Sequence, residues 1–249
     1  MKLFRKIRKN LLISGKTKSY LIYAFGEIFL IVVGILIAWK INDLNEINKN
    51  RIVEVKIYQS LNDELNSNLS LLDSSIFRYA ENIQTIQNTI NSIRSQPQKL
   101  TEEIKDGIIR VNYTPTKLHS GSMSSINSTN KFEFIESDSL RDLIAAYPNE
   151  LDNFEIQEAK INNLIVNRLQ PELETHISLL DILLIRDKKN TEVKFVSDES
   201  DYMELLNSRR FQNILVDRLL QTENQMIISN SLREKTQIIA FKLNKELDN

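Results

Sequence analysis

Tyr20-Leu-Ile-Tyr-Ala-Phe-Gly-Glu-Ile-Phe-Leu-Ile-Val-Val-Gly-Ile-Leu-Ile-Ala-Trp39 is apolar except at Glu27. Its 20 residues, at about 1.5 Å each, reach about 30 Å, the thickness of a bilayer's hydrocarbon core. Tyr20, Tyr23 and Trp39 stand near the two ends, where aromatic rings favour the membrane interface. From Ile28 to Trp39 no face of a helix would be polar, which is unusual for the core helix of a soluble protein. No small-x-small cleavage site follows, because Leu36-Ile37-Ala38 leads into Trp39-Lys40; a removed signal peptide is therefore disfavoured. The stretch reads as a single transmembrane helix over residues 20–41.

The flanks set its direction. Residues 1–19 carry Lys2, Arg5, Lys6, Arg8, Lys9, Lys16 and Lys18 and no acid. After the span, Lys40, Lys49, Arg51 and Lys56 are mixed with Asp43, Glu46 and Glu54. Basic flanks stay cytoplasmic, so the expected topology is a bacterial inner-membrane anchor with a periplasmic C-terminal part. In the leader, Leu3, Phe4, Ile7, Leu11 and Leu12 recur at helical spacing among Lys2, Arg5, Lys6, Arg8 and Lys9. Such a basic amphipathic helix can lie on anionic headgroups, although a plain topology signal explains it as well. Glu27, Gly34 and Ala38 fall within a stripe some 40° wide at about 100° per residue. A carboxylate at that depth favours a protein neighbour, and Gly34-x-x-x-Ala38 permits close backbone approach. These three residues are the expected contact face for a second copy or a partner span.

Beyond the span, composition favours helices. The chain has 249 residues with only five Gly and four Pro, too few for the many turns of a β-sandwich. It has no Cys, so disulfides, thiolate metal sites and thiol nucleophiles are excluded. All 33 acids lie beyond residue 19 with 25 of the 32 basic residues, a balance of −8. An acidic folded part argues against nucleic-acid binding.

Hydrophobic spacing divides that part. A long helix is predicted over about 43–96. Leu69, Leu72, Ile76, Tyr79, Ile83, Ile86, Ile90 and Ile93 repeat every three or four residues as a coiled-coil-like seam. Pro97 ends it. Thr101 to Arg110 reads as a short helix, and 111–136 as an irregular centre in which Lys131-Phe-Glu-Phe-Ile135 alternates like an extended piece. Helices are predicted over about 138–186, capped by Ser137 or Asp138 and punctuated at Pro148 and Pro171, and over about 201–247. The expected fold is all-α: a transmembrane helix followed by an elongated antiparallel bundle over 42–249.

No catalytic constellation emerges. Ser14-Gly15-Lys16-Thr17 lacks the upstream glycine of a phosphate loop, since position 10 is Asn. His119 and His176 form neither H-E-x-x-H nor its inverse. Glu172 and His176 are an i, i+4 pair, most simply a surface contact. Ser128-x-x-Lys131 lacks the companion motifs of penicillin-binding enzymes. The expectation is a protein with no catalytic, cofactor or metal-binding residues.

Phe4-Arg-Lys-Ile-Arg8, Gly15-Lys-Thr17, Tyr20-Leu-Ile-Tyr-Ala24, Gly26-Glu-Ile28 and Gly34-Ile-Leu-Ile-Ala38 with Ile41-Asn42 resemble the opening of a large family of flavobacterial (Bacteroidota) membrane proteins known only as a domain of unknown function. A second block, Ile126 to Asn130, Phe132 to Ile135, Leu140-Arg141 and Tyr147, is similar with two departures: Asn130 stands for a Gly, and Pro148 for a second Tyr. The resemblance implies a single-span cell-envelope protein and carries over no activity. The expected role is an envelope interaction, scaffold or accessory protein, with the membrane and a second copy or partner membrane protein as its contacts. The alternative is a periplasmic ligand-sensing domain signalling through a membrane partner, because about 19 cytoplasmic residues are too few for an output domain.

Overall fold

The computed structural model describes residues 17–95, 99–109, 113–178 and 201–248. Among these the chain is all-α, with no strand. Its helices are α1 (Thr17–Ser95), α2 (Glu102–Ile109), α3 (Gly121–Asn127), α4 (Asp138–Leu164), α5 (Gln170–His176), α6 (Tyr202–Asn207) and α7 (Arg209–Leu247). The chain divides into two compact units, residues 1–56 and 57–249, and α1 supplies residues to both.

In the first unit, α1 holds an 18-residue window of mean hydropathy 2.1. It is long and apolar enough to cross a membrane, and none of it is buried within the chain. Beyond it, Lys40 pairs with Asp43 at 2.9 Å and Arg51 with Glu54 at 2.8 Å, both one turn apart.

The second unit is a bundle of four legs. Contacts fix their directions. Tyr147 meets Thr236, and Gln157 meets Gln221, so α4 and α7 are antiparallel. Asn62 meets Asn244 and Asp73 meets Arg233, so α1 and α7 are antiparallel too. Tyr147 lies beside Asn68, and Tyr79 beside Glu158, so α1 and α4 run parallel. Parallel neighbours need a return path. Residues 101–109 and 113–136 supply it, descending α1 from Gly107 beside Thr85, through Thr116 at Ser75, to Ser122 at Glu64.

Two apolar clusters hold the bundle. One gathers Tyr58, Leu61, Leu65 and Leu72 of α1 with Met123, Ile144, Tyr147, Phe154, Leu232 and Leu243. The other joins Ile86, Ile108, Ile161, Leu169, Leu173, Leu205 and Phe211. Full burial of a side chain of this size contributes about 1.5–3 kcal/mol.

Four local details differ from the sequence reading. The punctuation predicted at Pro148 is absent: α4 runs unbroken through it to Leu164. The one lost backbone bond is outweighed by burial of Tyr147, Leu151 and Phe154 on either side. Before Pro171, residues Ile165–Leu169 widen into a π turn, which makes room for a ring that would clash with the carbonyl four residues back. Lys131-Phe-Glu-Phe-Ile135 is not extended: Asn130–Phe134 is a 3₁₀ turn. The last helical stretch breaks at Ser208, whose hydroxyl caps α7 by accepting from the Phe211 N–H. The predicted end of the preceding stretch, residues 179–186, lies outside the described residues.

The buried face of α1 also departs from the predicted seam. Leu65, Leu72, Tyr79 and Ile86 are buried, and so are Asn68, Ser75 and Thr89. Leu69, Ile76, Ile83, Ile90 and Ile93 sit half-buried alongside. The heptad row beside the seam, Asn68-Ser75-Asn82-Thr89, is polar. It faces the return leg, and that pairing has a cause.

Candidate functional site

Residues 113–120 of the return leg have no regular secondary structure. Their backbone groups need partners from side chains if they are to be buried. Asn68 supplies two: its amide donates to the His119 carbonyl at 2.8 Å and accepts from the His119 N–H at 2.7 Å. Glu64 accepts from Ser122 N–H at 2.6 Å and Met123 N–H at 3.2 Å, in the first turn of α3. Glu158 of α4 accepts the Thr116 N–H with both carboxylate oxygens at 2.9 Å. The Tyr79 hydroxyl also donates to Glu158, at 2.6 Å. The Thr116 hydroxyl lies 2.6 Å from Ser75 Oγ and accepts from Arg78 at 2.9 Å.

These groups form a polar layer between the two apolar clusters. Gln157, Thr222, Gln225 and Ser229 are buried at the same level of α4 and α7. Burial, then the bond to Glu158, push the Tyr79 hydroxyl up to about 12. Burial likewise raises the Tyr113 hydroxyl, with Tyr79 and Glu158 close by. The Gln225 amide is sealed beside Tyr79 without a bond of good geometry. Because the folded value for Tyr79 exceeds the ordinary 10.0, its contribution to stability is full below pH 10 and is lost as pH rises through about 12. The loss is about 2–3 kcal/mol. Denaturant unfolding between pH 9 and 12 should show this decline, and Tyr79→Phe should flatten it.

Arg218 lies one turn before Thr222 on α7, only 6% exposed. Burial lowers its guanidinium to about 10, so it stays charged at neutral pH. Among the described residues it has no ion pair and no side-chain hydrogen bond. Its nitrogens are not among the sealed unpartnered atoms, so they keep contact with a small cavity lined by Asn82, Thr85, Thr89, Gly107, Leu169 and Leu215. That space holds about one water. Thr85, Thr89 and Gly107 also line a wider cleft of about 450 Å³ between α1 and α2, with Asn88, Asn91, Ser92, Thr101, Glu103 and Asp106. Gly107 lets α2 approach α1 closely: a Cβ there would stand 3.1 Å from Thr85 Cγ2 and 3.7 Å from Thr89 Oγ1.

The residues singled out by sequence fall elsewhere. Glu27 is half-buried on α1, while Gly34 and Ala38 are exposed, with nothing within 4 Å of a Cβ built on Gly34. Lys2, Arg5, Lys6, Arg8 and Lys9 lie outside the described residues. Glu172 is not a surface residue: it is 6% exposed and takes the Ser208 hydroxyl at 2.6 Å and Arg210 at 3.1 Å, with His176 at 3.9 Å. It thus ties α5 to the start of α7. Among the described residues no three acidic or histidine side chains gather to hold a metal. Sequence reasoning missed Glu64, Asn68, Glu158 and Arg218. The available signal was the polar heptad row on α1, which an apolar count passes over.

Comparison of the chain with family models, curated proteins and solved structures finds no match.

Proposed function

We propose that this chain is a single-span protein of a bacterial inner membrane, with a cytoplasmic N-terminus and a periplasmic helical bundle that serves as an interaction or accessory module of the cell envelope. One observation carries the reading: Leu21, Ile22, Phe25, Ile28 to Val32, Ile35 to Ile37 and Trp39 are large, apolar and exposed. At about 1.5–3 kcal/mol for each side chain, water would not tolerate this surface, and lipid would. The basic leader orients the span. The resemblance to the flavobacterial family agrees with an envelope setting, and no catalytic role is assigned.

A partner contact is supported by α7. Val216, Leu220, Ile227, Ile238 and Phe241 are exposed and fall within a stripe about 60° wide at helical rotation. Lys245 lies on the stripe one turn past Phe241, and Lys242 lies about 40° to its side. Cross-linking with mass spectrometry in native membranes should give repeated links from these lysines to one membrane protein or to a second copy. Dispersed links, or none, would reject the interaction role. Ile227→Glu with Phe241→Glu should abolish those links while changing stability by less than about 0.5 kcal/mol. A C-terminal alkaline-phosphatase fusion should be active; an inactive fusion would reverse the topology.

The α1–α2 cleft and the unpaired Arg218 favour a second reading, a ligand-sensing domain that signals through a membrane partner.

A further inference from the structure

We propose that α1 self-associates just outside the membrane: residues 41–55 pair with the same segment of a second copy as a short parallel two-stranded coiled coil. The proposal rests on the single-span reading above and names the partner for this part of the chain.

Spacing is the first support. Glu27, Gly34, Ile41, Asn48 and Val55 recur every seven residues, and Leu30, Ile37, Leu44 and Arg51 follow three behind. On a helix the two rows make one stripe that drifts by about 20° per repeat, the offset that a left-handed supercoil absorbs. In 41–55 the first row holds β-branched Ile41 and Val55, and the second holds Leu44. That division of residue types favours two parallel strands. The outer positions carry Asn42, Asp43, Glu46, Lys49 and Asn50, with Val53 as their apolar exception.

Exposure is the second. Ile41, Leu44 and Asn48 are exposed and Val55 is half-buried. Ile47 and Ile52, which flank the stripe on opposite sides, are exposed as well. They hold the seventh and the next fifth place of the repeat, and those places meet across a parallel pair. Ile47 of one copy therefore covers Ile52 of the other. Past Val55 the rows enter the bundle, where Tyr58 is buried and Asn62 bonds Asn244 of α7. The exposed seam is thus confined to 41–55.

Charge and hydrogen bonding are the third, and they select a second copy. A parallel pair of identical helices sets each seam residue against itself, so charges there repel. The seam of 41–55 has one charged residue, Arg51, and Glu54 of the same helix holds its guanidinium at 2.8 Å. The α7 stripe lacks this property, because Glu234 lies on it. The Asn48 amide is both donor and acceptor, so two of them satisfy each other. A single Asn in such a row fixes register and a two-stranded state. Spans in one bilayer hold two copies parallel and at equal depth, which brings Asn48 to Asn48.

The chain has no Cys, so single cysteines report contacts without background. Ile41→Cys, Leu44→Cys and Asn48→Cys are compared with Glu46→Cys and Asn50→Cys in the full chain, in membranes under mild oxidation. The seam variants should give a disulfide-linked product at twice the 29.0 kDa of the chain. Their yield should exceed that of the two outer variants by about tenfold or more, because the bond needs Cβ atoms about 3.5–4.5 Å apart. Adding Leu44→Asp to Asn48→Cys should cut the yield by about tenfold or more, since it seals like charges in the seam. Equal yields at all five positions, no product at any, links to a different protein, or indifference to Leu44→Asp would each overturn the proposal. If the chain meanwhile resists carbonate extraction, the single-span reading stands. A chain washed out of the membranes by carbonate would overturn both.

Discussion

Glu158→Ala should lower the unfolding free energy of the bundle by about 3–5 kcal/mol. The carboxylate is buried and receives the Tyr79 hydroxyl and the Thr116 N–H. Truncation leaves the Thr116 N–H without an acceptor and the Tyr79 hydroxyl with only its long contact to Thr116 Oγ1 at 3.4 Å, and an orphaned donor costs about 1–3 kcal/mol. The vacated volume adds a cavity term of about 1 kcal/mol. A whole domain has only about 5–15 kcal/mol to lose, so this one change brings the bundle to the edge of unfolding. Glu158→Gln keeps one acceptor and should recover more than half. Urea denaturation reads the total, and amide exchange locates it: protection at Thr116 and His119 should fall first, since that leg is held to α1 and α4 by side chains. A Glu158→Ala loss below about 1 kcal/mol would mean that the polar layer does not hold the return leg in place.

Val32→Arg combined with Ile35→Arg should release the chain from the membrane fraction or leave it uninserted. Residues 21–41 contain thirteen Leu, Ile, Phe and Val, each favouring insertion by about 0.3–0.6 kcal/mol. Two central arginines oppose it by about 5–7 kcal/mol together, which cancels that sum. Alkaline carbonate extraction of membranes measures the outcome. A doubly substituted chain that stays carbonate-resistant would remove the lipid-spanning interpretation of α1. Substitution of Phe77 to Arg, on the exposed face of α1 in the bundle, provides the control and should leave fractionation unchanged.

Local pattern made some features legible. The apolar run, the basic leader and the scarcity of Gly and Pro declare themselves within short windows, and so the all-α class and a membrane-length helix could be read directly. Helix boundaries were less legible. Pro148 marks a break by local rules, yet flanking burial carries α4 across it. Ser208 looks unremarkable in sequence but caps α7 because Glu172, 36 residues earlier, accepts its hydroxyl.

The site was hidden for a related reason. Asn68, Ser75, Asn82 and Thr89 look like the solvated edge of an apolar seam until the partner on that face is known to be a non-helical leg with backbone groups to satisfy. Arg218 looks like one more surface charge on a long amphipathic helix.

By itself the amino-acid sequence determined the helical class and a hydrophobic segment with a positively charged leader, because propensity, hydropathy and charge act over neighbouring residues. Only the tertiary structure decided that Arg218 is buried and unpaired and that Glu158 ties three legs together. Burial and hydrogen-bond satisfaction depend on which distant segments meet, and residues 79, 116 and 158, or 85, 107 and 218, meet only once the chain has folded.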